Sequence, residues 1–311
     1  MQKYFMKFSY IGTQYRGLQR NGIKSDYIIR DVDTIQGAIE NAFTTLIPKC
    51  TNLPMISVSS RTDAGVHALC NAADIRLSNA YNCLYNPSEV LRQINGYLMK
   101  CHHDIRLLDF IPVTDEFSAR RVARSRTYIY RFMTPKQLDE HRIPIIEKVH
   151  TYHLRSETFD IERLQRGTQL FMGIKNFTSF SGKSHAPYPI NYVRKLNKLT
   201  IEKGQPFMPL DPLSQNYEFW NITCSSKSFL YNQVRRIVTA LLNLSIGNLT
   251  EKEITCMLQV PGHHNWNPHL HVVPPWGLYL ANIEYSQEDI DNYSIKYKLQ
   301  SPNRATVVPV G

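Results

Sequence analysis

The densest run of reactive side chains in this 311-residue chain is Ser59-Ser60-Arg61-Thr62-Asp63-Ala64-Gly65-Val66-His67. It lies between two stretches that read as strands, where functional loops sit on a rigid scaffold. A carboxylate two residues before a glycine has two readings. As a turn residue it accepts backbone N–H bonds. As a nucleophile it must be ionised, which calls for a nearby cation, and an electrophilic carbon must be delivered to it. A second set is the arginine-aromatic run Arg120, Arg121, Arg124, Arg126, Tyr128, Tyr130 and Arg131. Its guanidinium groups suit phosphate pairing and its rings suit base stacking, with a solvated strand edge as the competing account. Arg16 and Arg20 near the first turn are further basic candidates. Taken alone, Arg235 on an apolar-rich helix reads as a snorkelling group at the end of a core, and Tyr128, alternating with Tyr130, reads as core. His67 reads as a group that satisfies loop backbone. His263, His264, His269 and His271 invite a metal site, but they fall in a proline-punctuated stretch and read as loop residues.

These groups need elements to hold them. Tyr4, Met6, Phe8 and Tyr10 alternate with Phe5, Lys7 and Ser9 as in a half-buried strand, and Gly12 to Gly17 reads as a turn. Asp33 with Gln36 predicts a capping-box start for a helix carrying Ile35, Ala38, Ile39, Ala42, Phe43 and Leu46. Strands are expected at Met55 to Ser60 and Ala72 to Leu77. Asn86-Pro87-Ser88-Glu89 opens a second helix through Val90, Leu91, Ile94 and Leu98, and Asp104 to Val113 reads extended. Strand, helix, strand, strand, helix, strand is the split βαβ pattern of a ferredoxin-like unit. Downstream, the pattern predicts a strand at Arg126 to Met133, a helix around Ile161 to Phe171, and strands at Leu196 to Glu202 and Tyr217 to Cys224. A long helix from Phe229, a short helix capped by Thr250 and Glu253, and a closing strand at Gly277 to Tyr285 follow. The expected class is α+β: two ferredoxin-like halves, residues 1–113 and 114–286, with adjoining mixed or antiparallel sheets, a central cleft and helices on the outer face. Residues 287–311 are expected to form a peripheral tail.

Composition narrows the classes. Hydrophobic residues at 42% and charged residues at 20% suit a globular chain, and 17 Pro with 14 Gly are too few for a low-complexity protein. Thirty-six Lys+Arg against 26 Asp+Glu leave a net charge of +10, which favours polyanionic partners. The six cysteines are scattered singly, without the close spacing of zinc ligands, in a chain long enough to need no stapling; a reducing, intracellular setting is expected. No stretch approaches the roughly 18 apolar residues of a membrane span, since Phe229 to Ile246 is broken by Asn232, Gln233, Arg235, Arg236 and Asn243. The first twenty residues are basic and acid-free, as transit peptides are, but their strand-like alternation argues against a cleavable one. Mitochondrial matrix and cytoplasm both remain open.

Arg61-Thr62-Asp63-Ala64-Gly65-Val66-His67-Ala68 resembles the signature loop of the TruA family of tRNA pseudouridine synthases. Tyr10 to Gly17 with Gln19 resembles that family's first strand and turn, and Thr34-Ile35-Gln36 with Glu40 its first helix. Phe117-Ser118-Ala119-Arg120 and Arg126-Thr127-Tyr128-Ile129-Tyr130 resemble its central segment. Gly173 with Phe177 to Phe180, Phe229-Leu230-Tyr231 with Val234-Arg235, and Pro275 with Gly277 to Leu280 complete the series in order. Ser59-Ser60-Arg61, Leu69 to Ala73 and Ser125-Arg126-Thr127 are similar to the animal subgroup called tRNA pseudouridine synthase-like 1.

The resemblance implies that Asp63 is the nucleophile, Arg235 its ion-pair partner and Tyr128 the aromatic that stacks on the target base. Arg61, Thr62, Arg16, Arg120, Arg124 and Arg126 are the expected substrate-binding residues. It implies a reaction without cofactor or metal, a tRNA substrate modified in its anticodon arm, no membrane partner and a homodimer. Asp63 either attacks the sugar C1′ or abstracts a 2′ proton to give a glycal, and both routes need the ionised carboxylate. The chain departs from the family at Ser60 for Gly, Ser118 for His, Asn176 for Asp and Asn232-Gln233 for His-Met, positions that bear on which uridine fits. The rival expectations are a catalytically silent RNA-binding or ribosome-associated protein of the same fold, and a metalloenzyme using His263 to His271.

Overall fold

A computed structural model describes residues 1–20, 31–183, 188–298 and 306–309. The first strand, β1 (Gln2–Tyr10), runs as its alternation predicts, but Phe5, expected to face out, is also fully buried. The reason is that both faces are covered. Tyr4 stacks on Phe110 at 4.6 Å on one side, and on the other Phe5 meets Phe117 and Tyr285 edge-on, each at 5.0 Å. The next helix, α1 (Ile35–Phe43), is capped by Thr34 rather than Asp33: Thr34 Oγ1 accepts from Gly37 N at 3.1 Å. With glycine at the third helical position no side chain reaches back to the cap, so the capping box does not form. Gln36 instead donates to Glu40 at 2.9 Å.

The chain continues through β2 (Ile56–Val58), β3 (His67–Leu77), β4 (Leu84–Tyr85), α2 (Pro87–Lys100), β5 (Ile105–Val113) and the single turn α3 (Ala119–Val122). The α2 start matches expectation, since Asn86 accepts from Ser88 N at 3.1 Å and proline occupies the first turn. The strands pair antiparallel in the order β5–β1–β3, with β2 also antiparallel on β3. β3 is longer than its apolar segment suggests and begins at His67, inside the motif.

Then follow β6 (Ser125–Pro135), β7 (Tyr152–His153), α4 (Ile161–Phe171), β8 (Gly173–Asn176), β9 (Val193–Lys203), β10 (Tyr217–Ser226), α5 (Gln233–Ser245) and α6 (Glu251–Gln259). β6–β10–β9–β8 is antiparallel, with β7 parallel to β6. The long helix starts four residues later than its apolar run predicts, because Asn232 takes φ 58°, a left-handed conformation no helix can run through. The reciprocal cap of Thr250 and Glu253 on α6 forms as expected. Last come β11 (Leu278–Glu284), α7 (Gln287–Tyr293) and the short β12 (Tyr297–Lys298) and β13 (Thr306–Pro309).

The architecture is α+β with mostly antiparallel pairing. The chain divides into two compact units, one of residues 1–124 with 280 onward, the other of residues 125–279. In the first, the returning segment is held by backbone bonds, Arg124 N to Glu284 O at 2.9 Å and Thr114 N to Tyr293 O at 2.8 Å.

The second unit holds an acid-sensitive tie. Glu140 accepts from Arg142 Nη2 and Asn216 Nδ2, both at 2.7 Å, and from Arg142 N at 2.9 Å. The Arg142 bonds hold its carboxyl down to about 2 from an ordinary 4.5. A depressed carboxyl contributes stability that is complete above its unfolded value and is lost as pH falls through its folded one. Glu140→Gln is therefore expected to flatten the decline of the thermal midpoint between pH 4.5 and about 2, relative to the native chain.

Candidate active site

In the first unit, β2 ends and β3 begins on either side of the Asp63 loop. Ser59 N bonds Ala72 O at 2.8 Å, and the loop then closes on itself through Val66 N to Asp63 O at 3.2 Å. This is a turn with Gly65 at its third position and φ 76°, the positive value a type II turn demands there. The spacing Asp-x-Gly is thus a turn signature, but the bond that closes the turn uses the main-chain carbonyl of Asp63 rather than its carboxylate. Its side chain is half-buried, neither sealed in the core nor fully solvated.

The first-strand turn clamps this loop from the side. Leu18 N donates to Thr62 O at 3.2 Å, Gly12 N to His67 Nδ1 at 3.0 Å, and the Tyr10 hydroxyl meets Thr62 Oγ1 at 2.7 Å. His67 is fully buried and accepts a backbone N–H, the structural role its position suggested. The turn is in turn fixed to α1 by Ile35 N to Gly17 O at 3.2 Å and Gln36 N to Leu18 O at 2.9 Å. Three motifs separated along the sequence therefore form one rigid piece around Asp63.

The basic candidates of this unit differ in their surroundings. Arg61, Arg120 and Arg124 are exposed, Arg124 beside Asp289 at 3.4 Å. Arg16 pairs with Asp31 at 2.6 Å and Asp33 at 3.8 Å, and Arg20 with buried Glu40 at 3.0 Å. Desolvation pushes the Glu40 carboxyl upward despite that partner. Glu40 and Asn71 are structural anchors to which the sequence reading assigns no such role. Their signal was present: each is a polar residue set among apolar helix or strand positions.

In the second unit, Tyr128 lies on β6 and is 6% exposed, edge-on to Phe229 at 5.3 Å and 88°. Arg126, two residues earlier on the same buried face, donates to Lys227 O at 2.6 Å. Both therefore brace the segment leading into α5. Arg235 sits half-buried in the first turn of α5, its Nε on Val273 O at 2.8 Å and a terminal nitrogen on Asn232 Oδ1 at 3.1 Å. Its charge also acts on Tyr130, whose hydroxyl bonds Pro274 O at 3.0 Å and is pushed well upward by burial. Arg131 is absorbed by packing, 3.5 Å from buried Glu147 and 4.1 Å over the Phe207 ring.

His263 bonds Ser181 O at 3.1 Å and the Tyr192 hydroxyl at 3.3 Å, so both ring nitrogens have protein partners. Among the described residues no three His, Cys, Asp or Glu side chains group as metal ligands, and no helix is long and apolar enough to cross a membrane. All six cysteines are free thiols.

The profile of the family described as tRNA pseudouridine synthase matches residues 168–286, the stretch that carries Arg235. Human tRNA pseudouridine synthase-like 1 is 32% identical over 290 residues, covering 91% of this chain and 90% of its own length. The Xenopus laevis protein of the same name is 30% identical over 297 residues, covering 94% of each. A tRNA pseudouridine synthase A from Brucella ovis is 27% identical over 287 residues, covering 92% of this chain and 99% of itself. With nearly end-to-end similarity at this identity, and three of the motif segments folded together around Asp63 within the first unit, the chain belongs to the TruA-type tRNA pseudouridine synthase family.

Proposed function

We propose that this protein is an isomerase that converts uridine to pseudouridine in the anticodon arm of tRNA, with Asp63 as its nucleophile or base. The observation that carries this reading is the Asp63 loop, a half-buried carboxylate on a turn held rigid from both sides. In the reaction the C1′–N1 bond breaks, the uracil turns, and C5 joins C1′ while its proton leaves and N1 gains one. Asp63 takes part by attack at C1′ or by removing the 2′ proton. Arg235 is the cation that such a carboxylate requires, and its guanidinium offers planar donors. Tyr128, at the edge of burial, offers a ring face to the base and a hydroxyl for relaying the C5 proton.

Extruding a nucleotide from its stack costs a few kcal/mol, which phosphate contacts must offset. Arg16, Arg61, Arg120 and Arg124 are the exposed arginines of the expected set and supply these contacts, and the net charge of +10 draws the polyanion in. Arg126 serves by bracing the segment before α5. The functional protein is proposed to be a homodimer. Incubating the purified chain with tRNA transcripts and mapping pseudouridine by carbodiimide-adduct primer extension tests the reading. A stop in the anticodon arm is the expected result, and unmodified transcripts across the full tRNA set would overturn it.

A further inference from the structure

Asn71 is fully buried on β3, eight residues after the proposed nucleophile, followed directly by the buried Ala72 and Ala73. A buried carboxamide is costly unless each of its groups is paired, and here the pairing is specific. Its Oδ1 accepts from Ala72 N at 2.8 Å. Its Nδ2 donates to Ser60 O at 3.0 Å and to the Tyr10 hydroxyl at 3.2 Å. The orientation is unambiguous, because Ala72 N can only donate and Ser60 O can only accept.

The next bond extends this anchor. The Tyr10 hydroxyl accepts from Asn71 Nδ2 and shares a second hydrogen bond with Thr62 Oγ1 at 2.7 Å, in which either oxygen can donate. The chain of bonds thus links Asn71 through Tyr10 to Thr62, the residue before Asp63. A second arm of Asn71 holds Ser60 at the other end of the same loop. Ser60 and Thr62 are thus both referred to one buried side chain, and linked hydrogen bonds of this kind reinforce one another.

We propose that Asn71 is a positioning residue, acting through Tyr10 and Thr62 to set where the Asp63 loop presents its carboxylate. The inference rests on the reading of Asp63 as the group that reacts. A displacement of about 1 Å at a reacting group can reduce turnover roughly a hundredfold, whereas tRNA affinity, set mainly by phosphate contacts, does not depend on it.

The test compares Tyr10→Phe, Thr62→Val, Thr62→Ser and the double variant Tyr10→Phe/Thr62→Val in the full chain, with Asp63→Asn alongside. Tyr10→Phe and Thr62→Val are each expected to lower kcat by about tenfold or more with KM within about twofold. Thr62→Ser, which keeps the hydroxyl, should restore turnover. The double variant should be no slower than the slower single one, because both cut the same bond. Native kcat in Tyr10→Phe, multiplying effects in the double variant, or a change confined to KM would overturn the proposal. If the native chain makes no pseudouridine, the functional reading fails separately. The relay is then judged by amide exchange at residues 60–66: acceleration in Tyr10→Phe supports it and unchanged exchange overturns it.

Discussion

Asp63→Asn is expected to bind tRNA within about threefold of the native chain and to make pseudouridine at least about a thousandfold more slowly. The side chains are nearly isosteric, but the carboxamide is neutral and a poor base, so it neither attacks C1′ nor removes a 2′ proton. The loop keeps its shape, because its turn is closed through the Asp63 main-chain carbonyl and its flank through Leu18 N to Thr62 O. Filter binding and pseudouridine mapping on one preparation separate the two effects. Unchanged modification by the Asn variant would place the reacting group elsewhere, and lost binding would make Asp63 a docking residue instead.

Gly12→Ala is expected to cripple the same site from outside it. A methyl at Gly12 would stand 2.0 Å from Val66 O and 2.8 Å from Val66 C. The obstacle is main chain, so no side chain can swing aside, and Val66 is the last residue of the turn that begins at Asp63. The backbone must part by about 1 Å or more to reach ordinary contact. Overpacking of this kind costs about 1–3 kcal/mol, and a shift of that size at Asp63 lowers turnover roughly a hundredfold. Thermal midpoints and single-turnover rates should both fall. Gly96→Ala is the matched control: nothing lies within 4 Å of that position inside α2, so alanine should raise stability by up to about 1 kcal/mol with native turnover. Equal behaviour of the two variants would refute the steric argument.

Elements announced by local chemistry were legible in the sequence. The caps Asn86 and Thr250–Glu253 sit where their types and spacing put them, because a cap is satisfied within three residues. Asp33 and Thr34 are both competent caps; the fold uses Thr34, and with Gly37 three residues on no box forms. Phe229 to Tyr231 continued the apolar run of α5 without being helical, since the left-handed Asn232 is invisible to periodicity. Phe5 was misplaced because its cover comes from Tyr285, far along the chain. The site divides in the same way. Asp63 and its loop stood out as a string of residues, while the Tyr10, Thr62 and Asn71 bonds leave no period behind. For the arginines, residue type was readable but commitment was not: Arg16 to Asp31, Arg126 to Lys227 O and Arg131 to Glu147 are all long-range choices or loop geometry.

The bonds that shape the Asp63 loop join residues 52 and 55 positions apart, Tyr10 to Thr62 and Gly12 to His67. A nascent chain emerging from the ribosome therefore carries the whole signature peptide before it carries the shape. The competent geometry arises only when β1 and β3 zip together, so recovery of catalysis after denaturation reports assembly of that strand pair rather than a local rearrangement.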